Sequence, residues 1–325
     1  THEALKAAIR TLTGDSRAHL VRLETRPLGE GFADAMAGGD GLLLHEGVVR
    51  TARGEQPFEL VEKVCRVLPQ GRTPDSWLYW KREALAYDSG LLNAIPAGLR
   101  APKCYGVTYT DAPAARVFIE AISAPQPDWD MDTHARAGAA LGRFNGALIG
   151  MPDIDAHPWL APGRAWSWTG QYRETLDNLA SMSADPVVMH WLMGDSLDRT
   201  IALWKEHDAL RAALSDLPRC LCHHDAFKRN LMFAPNEDGK EEIIAIDWAF
   251  IGHGVLGEEL AATVGAALMF RDVDADQAEA LSESVFRAYL DGLRASGWSG
   301  SARDVRLGFT ATTALMFGVG ALGPW

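Results

Sequence analysis

The sequence has little cysteine, no long apolar run and no excess of positive charge. Four cysteines in 325 residues, at spacings unlike a disulfide framework, favour a reduced protein and predict a cytoplasmic location. No run approaches about 18 apolar residues, so no membrane span is expected, and the first residues lack the apolar core of a signal peptide. The net charge of −12 disfavours nucleic-acid binding, which requires a basic surface.

Motifs that would indicate a zinc centre are also missing. Cys220, Cys222, His223 and His224 form a dense group of soft ligand types, with His253 later in the chain. No C-x-x-C pair, second cluster or H-E-x-x-H accompanies them. In a strand the two cysteines would share one face and His223 would point away. A zinc-containing protein is therefore a weaker alternative to buried thiols in a core.

The composition is that of a globular protein, with 47% hydrophobic and 23% charged residues. Its length suits roughly two domains of about 150 residues each. A proline-rich segment, Ser123–Asp128, separates a strand-rich region from a helical one. We therefore predict a first domain over residues 1–123 and a second over 124–325.

Alternating polarity in the first region predicts five strands, and helical spacing predicts one main helix. A small-residue stretch follows the first strand, and within it Gly29-Glu30-Gly31 is a fragment of a phosphate-binding G-x-G-x-x-G loop. A plain hairpin turn is an equally good interpretation of that fragment. The predicted strands cover about 20–28, 42–50, 58–67, 104–108 and 116–122, and the helix covers 75–92 with Asp75 or Ser76 as its cap.

Lys63 lies on the third predicted strand, on the same face as apolar neighbours. A lysine in such a place usually has an anionic partner. Glu83, beside the apolar stripe of the predicted helix, is the best candidate. The alternatives are an edge-strand lysine that reaches solvent, a solvated Glu83, and competition from Glu62 or Arg82 for the ion pair.

The second region reads as mainly helical. Its loop at 149–170 is rich in proline, glycine and tryptophan, and long loops inside domains are often functional. Trp159, Trp166 and Trp168 would either line a substrate pocket or pack against helices. The predicted helices cover 131–149, 170–182, 186–214, 258–270, 274–296 and 301–320.

A polar loop between two apolar strands carries the strongest chemical signal. His223, Asp225 and Asn230 match the pattern H-x-D-x-x-x-x-N, and Asp247 ends the apolar run 243–246. This is the pattern of a kinase catalytic loop and its metal-binding aspartate. Two aspartates and an asparagine supply the oxygen ligands that Mg²⁺ takes together with substrate phosphates.

Phosphoryl transfer requires positioning and charge neutralisation more than covalent chemistry. Asp225 is placed to accept the proton of an attacking hydroxyl, and Asn230 and Asp247 are placed to hold Mg²⁺. Lys63 would hold the α- and β-phosphates of ATP if Glu83 orients it. The segment 118–122, with Glu120 and Ile122 as the candidate residues, would bind the adenine edge through backbone groups.

These features occur in the order found in small-molecule kinases, and the chain resembles the aminoglycoside phosphotransferase / choline kinase-like family from about residue 20 to 320. The most specific matches are residues 221–233 and 246–254, where Asp247-Trp248 replaces the Asp-Phe-Gly of protein kinases. Residues 143–146 and 257–261 also look like family signatures. Phe227, Lys228 and Arg229 depart from the small or proline residues often found there, and Lys228 or Arg229 would contact phosphate or face solvent.

The resemblance implies an α+β, bilobal protein-kinase-like fold. Its N-terminal lobe would be a small five-stranded antiparallel sheet with one main helix, its C-terminal lobe mainly helical, and ATP would lie between them. The implied activity is ATP-dependent, Mg²⁺-assisted phosphorylation of a small molecule's hydroxyl group. Asp225 would be the base, Asn230 and Asp247 the metal ligands, Lys63 the phosphate anchor, and His223 a structural brace.

Two questions stay open at this point. A non-catalytic kinase-like nucleotide-binding module is the alternative to an enzyme, although the retention of Asp225, Asn230, Asp247 and Lys63 argues against it. The acceptor could be an aminoglycoside, to which an acidic chain is suited, another antibiotic, an amino alcohol or a sugar. The sequence carries no signal for oligomeric state.

Overall fold

The computed structural model describes residues 2–28, 41–69, 71–96, 98–111, 114–150, 156–163, 165, 169–170, 173–179, 181, 186, 195–236 and 238–319. The chain forms two compact units, one of Thr1–Gln126 with Met232–Ala249 and one of Pro127–Leu231 with Phe250–Trp325. The division into functional domains between residues 123 and 124 remains a prediction. Met232–Ala249 was expected in the second domain, yet its contacts lie with the first unit because one of its strands pairs with Leu99–Arg100.

A five-stranded antiparallel sheet forms the centre of the first unit, as the sequence predicts. The elements of this unit are α1 (His2–Thr13), β1 (His19–Pro27), β2 (Leu42–Thr51), β3 (Gly54–Arg66), α2 (Arg82–Asp88), β4 (Leu99–Arg100), β5 (Cys104–Tyr109), β6 (Ala114–Ile119), β8 (Leu231–Pro235) and β9 (Glu241–Ala245). The five-stranded sheet has the order β1-β2-β3-β6-β5, and a second sheet has the order β4-β9-β8. Helix α1 packs on the first sheet through Leu5 and Ile9, which share a buried cluster with Leu60 and Phe118.

The helix predicted at 75–92 is shorter in the structure, where α2 begins at Arg82 and neither Asp75 nor Ser76 caps it. With 7 residues it is also shorter than α1, which has 12. The reason for the later start is the Arg82 side chain, which is fully buried. Its guanidinium donates to the backbone oxygens of Pro74, Ser76 and Trp77 at 2.6, 2.7 and 2.9 Å. These three hydrogen bonds hold the segment before α2 in turns. Burial lowers the pKa of Arg82 to about 10.

The second unit is mainly helical and contains a two-stranded antiparallel sheet. Its elements are α3 (Met131–Ala147), α4 (Arg173–Asp177), α5 (Ser196–Lys205), α6 (His207–Ser215), β7 (Arg219–Cys222), β10 (Gly252–Val255), α7 (Glu259–Met269), α8 (Ala278–Ala295) and α9 (Ala302–Thr313). Strands β7 and β10 form the sheet, and helices α3 and α8 pack backbone to backbone at glycines. A Cβ on Gly142 would lie 2.1 Å from the backbone oxygen of Tyr289, and one on Gly292 would lie 2.1 Å from the backbone oxygen of Ala139.

The predicted buried helix near the C-terminus consists of α9 and a π-helix, Ala314–Val319, that continues it. Leu315 and Val319 of the π-helix are fully buried, which agrees with the apolar sequence. Across the part of the chain that the structure describes, no helix combines the length and the hydropathy needed to cross a membrane.

Candidate active site

Lys63 lies between two carboxylates of the first unit. Its Nζ atom is 2.6 Å from Glu83 Oε2 and 2.7 Å from Asp247 Oδ1. Glu83 stands in the first turn of α2, and its side chain is 3% exposed, against 22% for Lys63 and 39% for Asp247. The structure therefore brings together three of the predicted site residues, and Glu83 is the buried member.

The competing partners considered for this ion pair have other contacts. Glu62 accepts hydrogen bonds from His45, at 2.7 Å, and from Arg116. Arg82 binds backbone carbonyl groups. Neither side chain takes part in the charge cluster, which is formed by Lys63, Glu83 and Asp247.

Burial and charge act in opposite directions on this cluster. Burial would lower the pKa of Lys63, but the carboxylates of Asp247 and Glu83 raise it well above its ordinary value. Burial raises the pKa of Glu83, and the Lys63 ammonium opposes that rise. The lysine therefore stays positively charged, as a phosphate-binding cation must.

Asp247 is positioned by the turn that follows β9. Its φ of 61° lies in the left-handed region, which costs roughly 1–2 kcal/mol outside glycine but is tolerated best by Asn and Asp. The next residue, Trp248, is fully buried. It donates its backbone N–H to Glu83 Oε1 at 3.3 Å and its indole N–H to the Ala245 oxygen at 2.7 Å. Trp248 thus connects the backbone next to Asp247 to the same glutamate that binds Lys63.

Glu120 and Ile122, predicted to bind the adenine edge, follow strand β6. The Glu120 carboxylate accepts from Arg100 at 2.6 and 3.0 Å and from the Lys103 N–H at 3.0 Å. Its backbone N–H donates to the Lys103 oxygen at 2.9 Å. Burial raises the pKa of Glu120, but the bonds from Arg100 and Lys103 prevail and lower it. The side chain therefore fixes the segment, and Ile122 is half-buried.

Asp225 and Asn230 meet within the loop between β7 and β8. The Asn230 side-chain amide donates to Asp225 Oδ2 at 2.8 Å and to the Asp225 backbone oxygen at 3.0 Å. His223 Nδ1 accepts the Asp225 backbone N–H at 3.2 Å. Asn230 is buried, whereas Asp225 is partly exposed. The asparagine thereby orients a carboxylate that solvent can reach.

Glu259 braces this loop and was missed as a site residue by the sequence-based prediction. It is fully buried near the start of α7, and its Oε1 atom accepts the backbone N–H groups of His223 and, at 3.2 Å, of His224. His224 has a φ of 66°, so the chain needs such support there. Burial raises the pKa of Glu259 to about 7 against the lowering effect of those two bonds. The signal in the sequence is the signature 257–261, which identifies the segment but gives the glutamate no role.

A second buried network connects the loop to the helices. Asn145 on α3 donates to the Leu221 oxygen at 2.8 Å and accepts from the Tyr289 hydroxyl at 2.7 Å. The same hydroxyl accepts the Gly257 N–H at 3.1 Å, where a φ of 93° favours glycine. The two family-like signatures at 143–146 and 257–261 therefore meet through Tyr289, which no motif marks.

The cysteines of β7 point to one side, as the strand pattern predicts. The Sγ atoms of Cys220 and Cys222 are 3.6 Å apart and both residues are buried. Burial raises the pKa of Cys222 well above its ordinary value, which disfavours the thiolate that metals bind. Within the described ranges, no three or more His, Cys, Asp or Glu side chains are grouped so that they could hold a metal ion.

Some expectations fall outside the described residues. The fragment Gly29-Glu30-Gly31 does so, as do Trp166 and Trp168. Trp159 is described and is buried. Lys228 forms an ion pair with Asp272 at 2.9 Å, so it is not simply solvated.

Comparison with known proteins places this chain in a family. The model of a phosphotransferase enzyme family (APH) matches residues 84–299, about two thirds of the chain, and includes Asp225, Asn230 and Asp247. The chain belongs to the phosphotransferase enzyme family. The resemblance inferred from the motifs is confirmed, and the protein is a small-molecule kinase. No curated protein sequence matches it.

Solved structures of small-molecule kinases share the fold. An aminoglycoside-3'-phosphotransferase of type VIII is 20% identical with a TM-score of 0.50, over 98% of this chain and 100% of that one. A spectinomycin phosphotransferase in complex with ADP and spectinomycin is 12% identical, TM-score 0.51, over 97% and 86%. An amicoumacin kinase in complex with AMP-PNP and Ca²⁺ is 14% identical, TM-score 0.50, over 98% and 88%. The protein-kinase-like α+β fold is thereby confirmed.

Proposed function

We propose that this kinase transfers the γ-phosphoryl group of ATP, with Mg²⁺, to a hydroxyl group of a small molecule. The observation that carries the proposal is the ion pair of Lys63 on β3 with Glu83 on α2, at 2.6 Å. Protein kinases, whose fold this chain shares, require such a strand–helix ion pair to hold ATP phosphates. A non-catalytic nucleotide-binding module would also need this pair, but it has no need of the Asn230 amide that orients the Asp225 carboxylate.

Each predicted site residue has a role in this proposal. Lys63 binds α- and β-phosphate oxygens, and Glu83 keeps its ammonium group in place. Asp225 accepts the proton of the attacking hydroxyl, and its exposure gives an acceptor access to it. Glu120 and Ile122 bind the adenine edge through backbone groups. Residues 1–123 would serve as the nucleotide-binding lobe and 124–325 as the acceptor-binding lobe.

The proposed metal ligands have suitable chemistry. Asn230 uses its amide N–H groups toward Asp225, which leaves the side-chain oxygen as the ligand atom. The Asp247 carboxylate is 39% exposed beside Lys63. Carboxylate and amide oxygens are ligands that Mg²⁺ accepts together with phosphates and water. When bound, Mg²⁺ would neutralise charge on the transferred phosphoryl group.

Two of the similar structures support nucleotide use. One is a complex with ADP and the other with AMP-PNP and Ca²⁺. An adenine nucleotide is therefore the first phosphoryl donor to test on this chain. The acceptors named with those proteins include spectinomycin, which makes hydroxylated antibiotics the first acceptor class to screen.

The test is ATP consumption across aminoglycosides, other antibiotics, amino alcohols, sugars and hydroxy acids. With a confirmed acceptor, Asp225→Asn should lower kcat by about 10²- to 10⁴-fold, the contribution of a general base. Its affinity for Mg·ATP should stay near that of the wild-type protein. A kcat for Asp225→Asn close to that of the wild-type protein would remove Asp225 as the base, and Asp247→Ala with unchanged Mg·ATP affinity would remove Asp247 from the metal site.

A further inference from the structure

Three residues of the catalytic loop pack on the C-terminal end of helix α7. The Phe227 and Phe270 rings stack with their centroids 5.8 Å apart. The Arg229 guanidinium lies over the Phe270 ring, 4.0 Å from its centroid. Lys228 forms its ion pair with Asp272. The loop that holds Asp225 is thus continuous with a surface built by the residues that end α7.

The backbone at the end of α7 holds this surface in place. Arg271 has a φ of 58°, and the left-handed residue there ends the helix where glycine is usual. The next N–H, that of Asp272, donates to the Ala267 oxygen at 2.8 Å. This turn directs Asp272 toward Lys228 while Phe270 stays against Phe227.

The resulting surface is apolar, exposed and positively charged. Met269 is 57% exposed and Phe270 39% exposed, and Arg229 is also exposed. We refer to Phe227, Arg229, Met269 and Phe270 as the Phe270 face. Large apolar side chains grouped on a surface commonly mark a binding site, and this group begins two residues after Asp225.

Arg229 provides the charge that a ligand would meet on this face. Lys228 is neutralised by Asp272, whereas no ion pair of Arg229 occurs among the residues that the structure describes. A guanidinium that lies over an aromatic ring keeps its N–H donors for a planar, bidentate anion such as a carboxylate. The chemistry of the face therefore suits a ligand with an apolar part next to an anionic group.

We propose that the acceptor of this kinase is a hydroxyl compound with an anionic group, a carboxylate or phosphate, and an adjoining apolar part, and that Arg229 and Phe270 bind it beside Asp225. This inference rests on the proposed function and specifies its acceptor. A polycationic aminoglycoside would be repelled by the positive charge of Arg229. The net charge of −12 does not offset this, because charges beyond about 8–10 Å are screened at physiological salt.

The experiment is calorimetric titration of matched ligands into the whole protein with AMP-PNP and Mg²⁺. 3-Phenyllactate carries a hydroxyl, a ring and a carboxylate, and 3-phenyllactamide has a neutral amide of similar size in place of the carboxylate. Phenyl phosphate tests the phosphate form of the anion, and kanamycin tests a polycation. We expect 3-phenyllactate to bind about tenfold or more tightly than its amide, since hydrogen bonds to a charged group are stronger than those between neutral groups.

Two variants and one control test whether Arg229 and Phe270 cause the preference for the acid over the amide. Arg229→Gln should abolish the difference between acid and amide, and Phe270→Ala should weaken both ligands. Arg287→Gln removes an arginine whose side chain is 79% exposed on α8, and it should keep the preference. Equal binding of acid and amide to the wild-type protein, absence of acid binding, or tighter binding of kanamycin overturns the proposal. So does an Arg229→Gln variant that loses AMP-PNP affinity and keeps the preference, since Arg229 would then serve the nucleotide.

The inference and the proposed function fail separately. Asp225-dependent transfer to a polycation would retain the function and overturn the anionic acceptor. Arg229-dependent binding of the acid without any phosphoryl transfer from ATP would retain the anionic ligand and overturn the proposed function. Ligand binding and ADP release are therefore measured on the same preparations.

Discussion

Lys63 in the first unit and Asp225 in the second are positioned by different interactions. Lys63 is placed by two charged groups, which lie 2.6 and 2.7 Å from its ammonium nitrogen. The loop of Asp225 is placed mainly by neutral donors: the Asn230 amide and the backbone N–H groups that bind the buried Glu259. The first arrangement depends on the charge of each member, whereas the second depends on hydrogen-bond geometry.

The difference follows from what each residue has to do. A phosphate anchor has to remain a cation, and the carboxylates of Asp247 and Glu83 keep Lys63 charged against the effect of burial. A base has to keep one orientation while its own charge changes, and a backbone-bonded loop provides that rigidity. Substitutions should therefore affect the two regions in different ways.

The largest expected effect is that of Lys63→Met. It leaves Glu83, 3% exposed, without its cation, and breaking a buried ion pair costs about 3–5 kcal/mol. The loss of a phosphate-binding cation should also lower kcat about 10²-fold. Denaturant unfolding measures the first effect and steady-state kinetics with ATP measures the second.

The double variant Lys63→Met/Glu83→Gln is the control for that substitution. It replaces the unpaired carboxylate by a neutral amide, so most of the stability should return while the activity stays low. A single variant as stable as the wild-type protein would show that the ion pair does not stabilise the first unit. Recovery of activity in the double variant would show that Lys63 is not needed for phosphate.

Glu259 tests the loop through pH. Its pKa is raised from 4.5 to about 7, so the folded protein holds a proton there that the unfolded chain releases above about pH 4.5. The associated stability is fully present below pH 4.5 and is lost as the pH rises through 7. The expected loss is up to about 3 kcal/mol, at about 1.36 kcal/mol per pH unit. Unfolding measured from pH 4.5 to 8 should show it.

Glu259→Gln is the control, since its amide cannot ionise and still offers an oxygen to His223 and His224. Its stability should lack this part of the pH dependence. An exposed carboxylate on α8, Glu279, provides the matched comparison, because Glu279→Gln should follow the wild-type curve. Parallel curves for the wild-type protein and Glu259→Gln would exclude titration of Glu259 in this range.

The same contrast explains which parts could be predicted from sequence. Alternating polarity gives the five-stranded sheet, because apolar side chains of its strands face a common core. That core includes the buried Leu60 and Phe118 and the partly buried Leu20 and Tyr105. The pairing of Lys63 with Glu83 was the preferred interpretation, because a cation on an apolar strand face needs an anion. Its second partner, Asp247, was missed, since residues 184 positions apart share no local pattern.

Local patterns failed where a side chain binds the backbone. The helix expected at 75–92 begins only at Arg82, because a guanidinium that binds carbonyl groups from 74 to 77 overrides helical spacing. Glu259 was not singled out, because a buried glutamate that accepts N–H groups looks like any glutamate near a helix start. Such side-chain-to-backbone bonds depend on tertiary packing.

The smallest expected effect compares two buried tyrosines. The Tyr289 hydroxyl joins Asn145 and Gly257 in the network behind the loop, so Tyr289→Phe should cost about 1–2 kcal/mol by leaving both groups unsatisfied. The Tyr87 hydroxyl, buried on α2, has no hydrogen-bond partner among the described residues. Tyr87→Phe should therefore be neutral or stabilising, and denaturant unfolding of both variants measures the difference. If both variants lost the same free energy of unfolding, removal of the oxygen atom alone would account for both losses. The hydrogen bonds of Tyr289 would then contribute nothing to stability.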